Sequence, residues 1–152
     1  MDKQELAAIF VRIADLLEIK GEIPFKTVAY RNAAESLRTT SEDIRMLQRE
    51  GRLKEIPGVG DAIAKKIDEL LTTGKLDFLV RLESEVPPSL LELLQVPGLG
   101  PRKAALFWKQ ANITTLAQLE EAAKAGKLRS LPGIGEKSEA RLLEGIESIK
   151  SK

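Results

Sequence analysis

Apolar residues recur at helical spacing along almost the whole chain. Leu6, Ile9, Phe10, Ile13, Leu16 and Leu17 form one stripe and predict an amphipathic first helix. Pro24 is placed to open a second helix running to about Leu37. Ser41 is the expected N-cap of a third, which Gly51 would stop. A short helix and a Pro-Gly turn follow. Ile63, Ile67, Leu70 and Leu71 then mark the buried face of a helix from about Asp61 to Thr73, with Gly74 as its stop. Val86-Pro87-Pro88 cannot continue a helix and marks the best boundary. Beyond it, Ser89 is expected to cap a helix and Pro101 to take the first position of the next. Asn112-Ile113-Thr114-Thr115 reads as a loop and cap. No segment alternates with period two, so no sheet is expected. The prediction is an all-α chain in two units, residues 1–84 and 85–152.

The helical pattern is broken three times in the same way: Ile56-Pro57-Gly58-Val59-Gly60, Val96-Pro97-Gly98-Leu99-Gly100 and Leu131-Pro132-Gly133-Ile134-Gly135, each followed by a helix. Two glycines leave backbone N–H groups unobstructed. The next helix adds free N–H groups and the positive end of its dipole. The expected ligand is an anion, and three copies point to phosphates along a nucleic-acid backbone. One copy alone is also a plain helix stop and start. The flanks make the repeat more specific, since Gly51 to Gly60 lines up with Gly126 to Gly135. Each unit reads helix, tight turn, helix, the helix-hairpin-helix pattern. The apolar residue between the glycines is expected to plug the core. The Gly58/Gly60 pair lacks the third glycine of a dinucleotide site, and no Gly-Lys-Ser/Thr follows any turn.

Composition narrows the chemistry. The chain has 152 residues with no cysteine and no histidine, which removes disulfides, thiolate zinc sites and the commonest general base. No apolar run approaches the roughly 18 residues of a membrane span, and no signal-peptide pattern opens the chain, so a cytoplasmic location is expected. The net charge of +1 excludes a simple polycation. Between Leu93 and Ala117, however, stand Arg102, Lys103 and Lys109 and no acid. Affinity for nucleic acid would rest on such patches and on backbone N–H groups.

Residues 21–80 resemble the N-terminal lyase domain of the family X DNA polymerases. The matching pieces are Lys26 with Ala29-Tyr30-Arg31 and Ala33-Ala34; Pro57-Gly58-Val59-Gly60 with Ile63-Ala64-Lys65-Lys66-Ile67-Asp68-Glu69; and Thr73-Gly74-Lys75-Leu76. Residues 94–119 resemble the family's next subdomain, through Gly98-Leu99-Gly100-Pro101 and Ile113-Thr114-Thr115-Leu116 with Leu119. With the third hairpin counted, the chain most resembles the N-terminal part of a bacterial member. The implied fold is tandem helix-hairpin-helix units in SAM-like bundles of the polymerase-beta N-terminal kind. The family's polymerase chemistry needs metal-carrying aspartates on a β-sheet palm, and its bacterial members add a histidine-rich phosphoesterase domain. Neither is in this sequence, so magnesium would belong only to a missing palm. The chain reads either as a fragment of a longer enzyme or as a stand-alone relative that kept the DNA-holding part.

Lys66 is the sharpest candidate for chemistry. By resemblance it is a Schiff-base nucleophile that removes a 5′-deoxyribose phosphate. Such an amine must be neutral, through desolvation or nearby cations. Ala62, Lys66 and Leu70 are spaced by four, so Lys66 borders the buried stripe while Lys65 faces solvent. The same position also suits an apolar stem reaching toward a phosphate. The family often has a basic residue two positions past the second glycine; here it is Ala62, while Arg102 and Lys137 fill that place in the other hairpins.

The resemblance puts Lys26 on the 5′-phosphate and Tyr30 beside the lyase pocket. Tyr30 equally fits the polar-tipped edge of a core face. Arg31 and Lys75 are further phosphate candidates. Phosphate donors are expected around Gly58, Gly60 and Ala62, around Gly98, Gly100, Arg102 and Lys103, and around Gly133, Gly135 and Lys137. The resemblance also implies a monovalent sodium or potassium ion on the carbonyls of Lys54, Ile56 and Val59, and of Leu94, Val96 and Leu99, with no other cofactor. The neighbours of Trp108 favour core packing over a stacking platform. Glu139 replaces the alanines at 64 and 104, and Glu136 would cap its own helix and repel phosphate, so the third hairpin ranks weakest.

The leading expectation is a monomeric repair module that holds gapped or nicked DNA, or strand junctions, with Lys66 as a candidate lyase. A non-catalytic helix-hairpin-helix scaffold and a helical protein-interaction domain are the alternatives. The scaffold lacks imine chemistry, and the interaction domain lacks salt-dependent DNA affinity.

Overall fold

The computed structural model describes residues 1–151. Among the described residues every regular element is helical. None of these helices is long and apolar enough to cross a membrane. The chain divides into two compact units, Met1–Glu83 and the residues from Ser84 onward.

The first unit opens with two long antiparallel helices. α1 spans Lys3–Lys20; Asp2 caps it by accepting from the Glu5 N–H, and Gly21 ends it in the left-handed conformation. Such a cap contributes about 1 kcal/mol. α2 spans Pro24–Thr39 and starts on its proline. Phe10, Ile13 and Leu16 of α1 and Ala33 and Leu37 of α2 are fully buried. Each large apolar side chain hidden this way contributes roughly 1.5–3 kcal/mol. Thr27 is also buried on α2, and its hydroxyl oxygen has no hydrogen-bond partner among the described residues. α3, Ile44–Arg49, is capped by Asp43, whose carboxylate accepts from the N–H groups of Arg45 and Met46. The expected cap, Ser41, stands outside the helix because Asp43 lies directly before it and accepts two bonds.

A 3-10 turn at Leu53–Glu55 leads into the first hairpin and α4, Asp61–Thr73, which stops at Gly74 with φ 77°. The carboxylate of Glu69 on α4 accepts the Asp77 N–H at 2.9 Å, which sets the start of α5, Asp77–Ser84.

The second unit has no opening pair of long helices and carries two of the hairpins. α6, Leu90–Leu93, is a single turn. Ser89 precedes it but does not cap it, because its hydroxyl donates to the Thr114 carbonyl. α7 spans Pro101–Ala111 and ends at Asn112, in the left-handed region at φ 53°. Thr115 caps α8, Leu116–Lys124, by accepting from Gln118 N. A second 3-10 turn, Leu128–Ser130, precedes the third hairpin and α9, Glu136–Lys150. Leu90, Leu93, Phe107, Leu119, Leu142 and Ile146 form the core. Trp108 is only half-buried, with the Lys109 ammonium 5.9 Å from its ring centroid. The helical register turns its neighbour Phe107 inward instead, which corrects the core assignment of the tryptophan.

Gly145 lies where α9 meets the second hairpin. A Cβ there would stand 3.0 Å from Pro97 Cδ, 3.1 Å from Val96 Cγ1 and 3.3 Å from the Pro97 carbonyl. Only glycine lets the two backbones approach this closely.

Candidate nucleic-acid interface

The three hairpins share one geometry. Val59, Leu99 and Ile134 are buried, and each donates its N–H back to Ile56, Val96 or Leu131 at 3.0–3.1 Å. The first glycine of each turn has positive φ: 81° at Gly58, 85° at Gly98 and 76° at Gly133. Residues with a Cβ are strained there. The second glycines differ. Gly60, Gly100 and Gly135 have φ of −96°, −99° and −98° in extended backbone, and a Cβ on any of them would meet nothing within 4 Å. Neither conformation nor packing requires glycine at these three positions.

These glycines are also the N-caps of α4, α7 and α9, and none of the three helices has a side-chain cap. The first-turn N–H groups remain open to a ligand, beside exposed glycines.

The charges around the three turns are not equivalent. In the first hairpin, Asp61 opens α4 and pairs with Lys54 at 2.8 Å. This pair holds the Asp61 carboxyl below its ordinary range and raises Lys54. Ala62 is exposed and adds no charge. In the second hairpin, Pro101 opens α7, Arg102 is exposed, and the Lys103 ammonium donates to the Gly98 carbonyl at 3.1 Å. With no acid nearby in sequence, this turn is the most receptive to an anion.

The third hairpin carries its own anion. Glu139, 3% exposed, accepts from the backbone N–H groups of Leu128 (2.9 Å) and Arg129 (3.2 Å), and from Arg129 Nε and Nη2. Burial alone would raise its carboxyl; the Arg129 side chain and the two N–H groups bring it below the usual range. Arg129 also pairs with Glu136 at 3.3 Å. Lys137 stands exposed beyond them.

The carbonyls of Ile56 and Val96 each accept one hairpin N–H and keep a second lone pair. Oxygen donors of this kind suit a hard monovalent ion, and the other four carbonyls, of Lys54, Val59, Leu94 and Leu99, lie in the same two segments.

Lys66 and Tyr30 come together, with a partner that the sequence did not single out. Tyr30, 9% exposed, stacks between Phe10 and Phe78, with centroids 6.0 Å away on both sides and interplanar angles of 19° and 16°. The Lys66 ammonium lies 4.6 Å from the Phe78 centroid and 6.0 Å from that of Tyr30. Burial lowers the Lys66 amine; Glu69 opposes this and Arg81 reinforces it, for a net lowering. Burial raises the Tyr30 hydroxyl. Phe78 lies past the Gly74 stop on a helix of eight residues, and its only sequence signal is an aromatic in a short amphipathic segment.

The remaining candidates are dispersed. Lys26 is exposed, one turn before Tyr30, with Glu22 at 3.9 Å. Arg31 bridges Asp15 at 3.0 Å and Glu18 at 2.8 Å, so a phosphate would have to compete with two carboxylates. Lys75 is exposed next to the Gly74 stop.

Residues 1–76 match the family described as a helix-hairpin-helix domain. Residues 90–148 match the SAM-like helix-hairpin-helix tandem. The chain is 34% identical over 146 residues to the DNA polymerase/3'-5' exonuclease PolX of Bacillus subtilis (strain 168), covering 96% of this chain and 25% of that protein. It is 31% identical over 97 residues to the Holliday junction branch migration complex subunit RuvA of Acidovorax sp. (strain JS42), covering 58% of this chain and 46% of RuvA. It is 34% identical over 64 residues to DNA polymerase lambda of Arabidopsis thaliana, covering 41% of this chain and 12% of the polymerase. The chain thus spans about a quarter of its bacterial polymerase relative and under half of RuvA. With uncapped glycine hairpins in both units and this similarity along nearly its whole length, the chain belongs to the helix-hairpin-helix family and corresponds to the N-terminal region of the family X DNA polymerases.

Proposed function

We propose that this chain is a DNA-holding repair module that grips gapped or nicked duplexes through backbone phosphates. The observation that carries the reading is the set of second glycines, Gly60, Gly100 and Gly135. The fold does not need them, yet each stands before an uncapped helix start where a phosphate would approach. The Gly98–Lys103 hairpin supplies the strongest grip, and a monovalent ion on the hairpin carbonyls completes the first two turns. Contacts of this kind carry little base information, so recognition follows DNA structure. Anisotropy titrations of the monomeric chain against gapped and intact duplexes at rising salt test this. The expected result is tighter binding to the gap and a steep loss with salt. Salt-independent or absent binding would leave a protein-interaction scaffold.

A second reading, lyase activity at Lys66, is supported by the lowered, half-buried amine among aromatic rings. The neutral Nζ adds to the C1′ aldehyde of a ring-opened 5′-deoxyribose phosphate, and loss of water gives an iminium. A proton leaves C2′, and the C3′–O3′ bond breaks with its electron pair going to the phosphate oxygen of the following nucleotide. Water then hydrolyses the imine and frees both sugar phosphate and lysine. Borohydride trapping on a one-nucleotide gap is expected to give a covalent band with the wild type and none with Lys66→Ala.

A further inference from the structure

Phe78 has no part in the hairpins, and packing alone does not explain its surroundings. Its ring ends a column of three aromatics that starts at the fully buried Phe10 and passes through Tyr30. The Lys66 ammonium lies beside the outer two rings of the column, 4.6 Å from the Phe78 centroid and 6.0 Å from that of Tyr30. Glu69, one turn beyond Lys66 on α4, fixes this placement by accepting the N–H of Asp77, the residue before Phe78. One helix therefore provides both the lysine and the group that starts the helix bearing the ring. A cation above an aromatic face is attracted by the ring quadrupole, and the attraction grows as water is excluded.

We propose that Phe78 is the positioning residue of Lys66, its ring face holding the charged end of that side chain as the resting ammonium and, on the lyase reading above, as the iminium. The charged and titratable groups around this end are Glu69 on α4, Arg81 on α5 and the hydroxyl of Tyr30 on α2. Glu69 and the two rings favour the cation, while burial and Arg81 disfavour it. The ring thus gives directional support for a charge that its surroundings otherwise discourage. A neighbouring lysine or arginine could not supply this support.

The test uses the full chain with labelled lysine and three variants: Phe78→Leu, Phe78→Tyr and Lys66→Ala. Lys66→Ala assigns the resonances. In wild type and Phe78→Tyr, ring currents should move the Lys66 ε-methylene signals upfield of those of solvent-facing Lys65. In Phe78→Leu they should move back toward the ordinary lysine position, keeping only the smaller shift from Tyr30, while the circular-dichroism spectrum is retained. Borohydride trapping should fall roughly two- to five-fold at its plateau in Phe78→Leu, the factor of one partly exposed cation–π contact. The pH midpoint of trapping should move down, because loss of the ring disfavours the protonated amine. Phe78→Tyr should restore both. A purely structural role would lower the plateau and leave the midpoint in place, which would overturn the proposal. Ordinary Lys66 signals in the wild type would also overturn it. Shifted signals without any covalent adduct would refute the lyase reading and leave Phe78 as the holder of the resting ammonium.

Discussion

The guanidinium of Arg129 places both Nε and Nη2 on one oxygen of Glu139, while the other oxygen takes the N–H groups of Leu128 and Arg129. One carboxylate thus ties the 3-10 turn before the third hairpin to the helix after it. Glu139→Ala strands two N–H groups, the Leu128 one in buried surroundings, and should destabilise the second unit by about 2 kcal/mol. Denaturant melts followed by Trp108, the only tryptophan, report that unit directly. A variant as stable as wild type would show that water replaces the carboxylate at no cost.

The same group makes the second unit acid-sensitive. The folded Glu139 carboxyl lies below its unfolded value, so in acid the unfolded chain binds more protons and stability rises with pH. Its contribution is complete above the ordinary glutamate range and is lost as pH falls through the lowered folded value. Acid melts of Glu139→Gln should lack this part of the slope and keep the rest.

Gly98 and Gly100 should respond differently to alanine. Gly98→Ala forces a side chain into positive φ and should cost about 1 kcal/mol of stability. Gly100→Ala should melt within about 0.5 kcal/mol of wild type. Its DNA affinity should fall about ten-fold, because a phosphate docking at the α7 start, as proposed, would meet a side chain where the space is now open. Gly135→Ala, beside a hairpin already holding its own anion, should change affinity little.

Arg102→Ala should reduce the salt slope of DNA binding by about one unit, as loss of one phosphate contact does. Lys137→Ala should leave the slope nearly unchanged, since Glu136 opens the same helix. Equal slopes for the two variants would place the second and third hairpins on the same footing.

Gly145→Ala tests the seat of the second hairpin. The added carbon meets the Pro97 ring at 3.0 Å and backbone close behind, and neither yields as a flexible side chain would. A loss of about 1–3 kcal/mol is expected, with weaker DNA binding through a displaced turn.

Most of the framework was legible because glycine and proline act locally. Pro24 and Pro101 open helices and Gly74 closes one where the sequence puts them. The plugs Val59, Leu99 and Ile134 follow from the repeat. Choices between near neighbours were harder to read. Asp43 outcompetes Ser41 as a cap, and Phe107 takes the core position beside Trp108, since adjacent polar or aromatic residues give almost the same local pattern. Contacts that depend on chain return were invisible. Glu139 marked the third hairpin as different, but its bonds to Leu128 and Arg129 need the turn to fold back onto α9. Phe78 reaches Lys66 only because α5 reverses onto α4.

The open space in front of Gly60 and Gly100 separates two kinds of selection. Thermal screening of a variant library would retain substitutions there, since any small residue fits the extended backbone. On the proposed function, such proteins would express, purify and crystallise like the parent while binding DNA more weakly. At these positions, abundance and melting temperature say nothing about whether a natural variant is harmless.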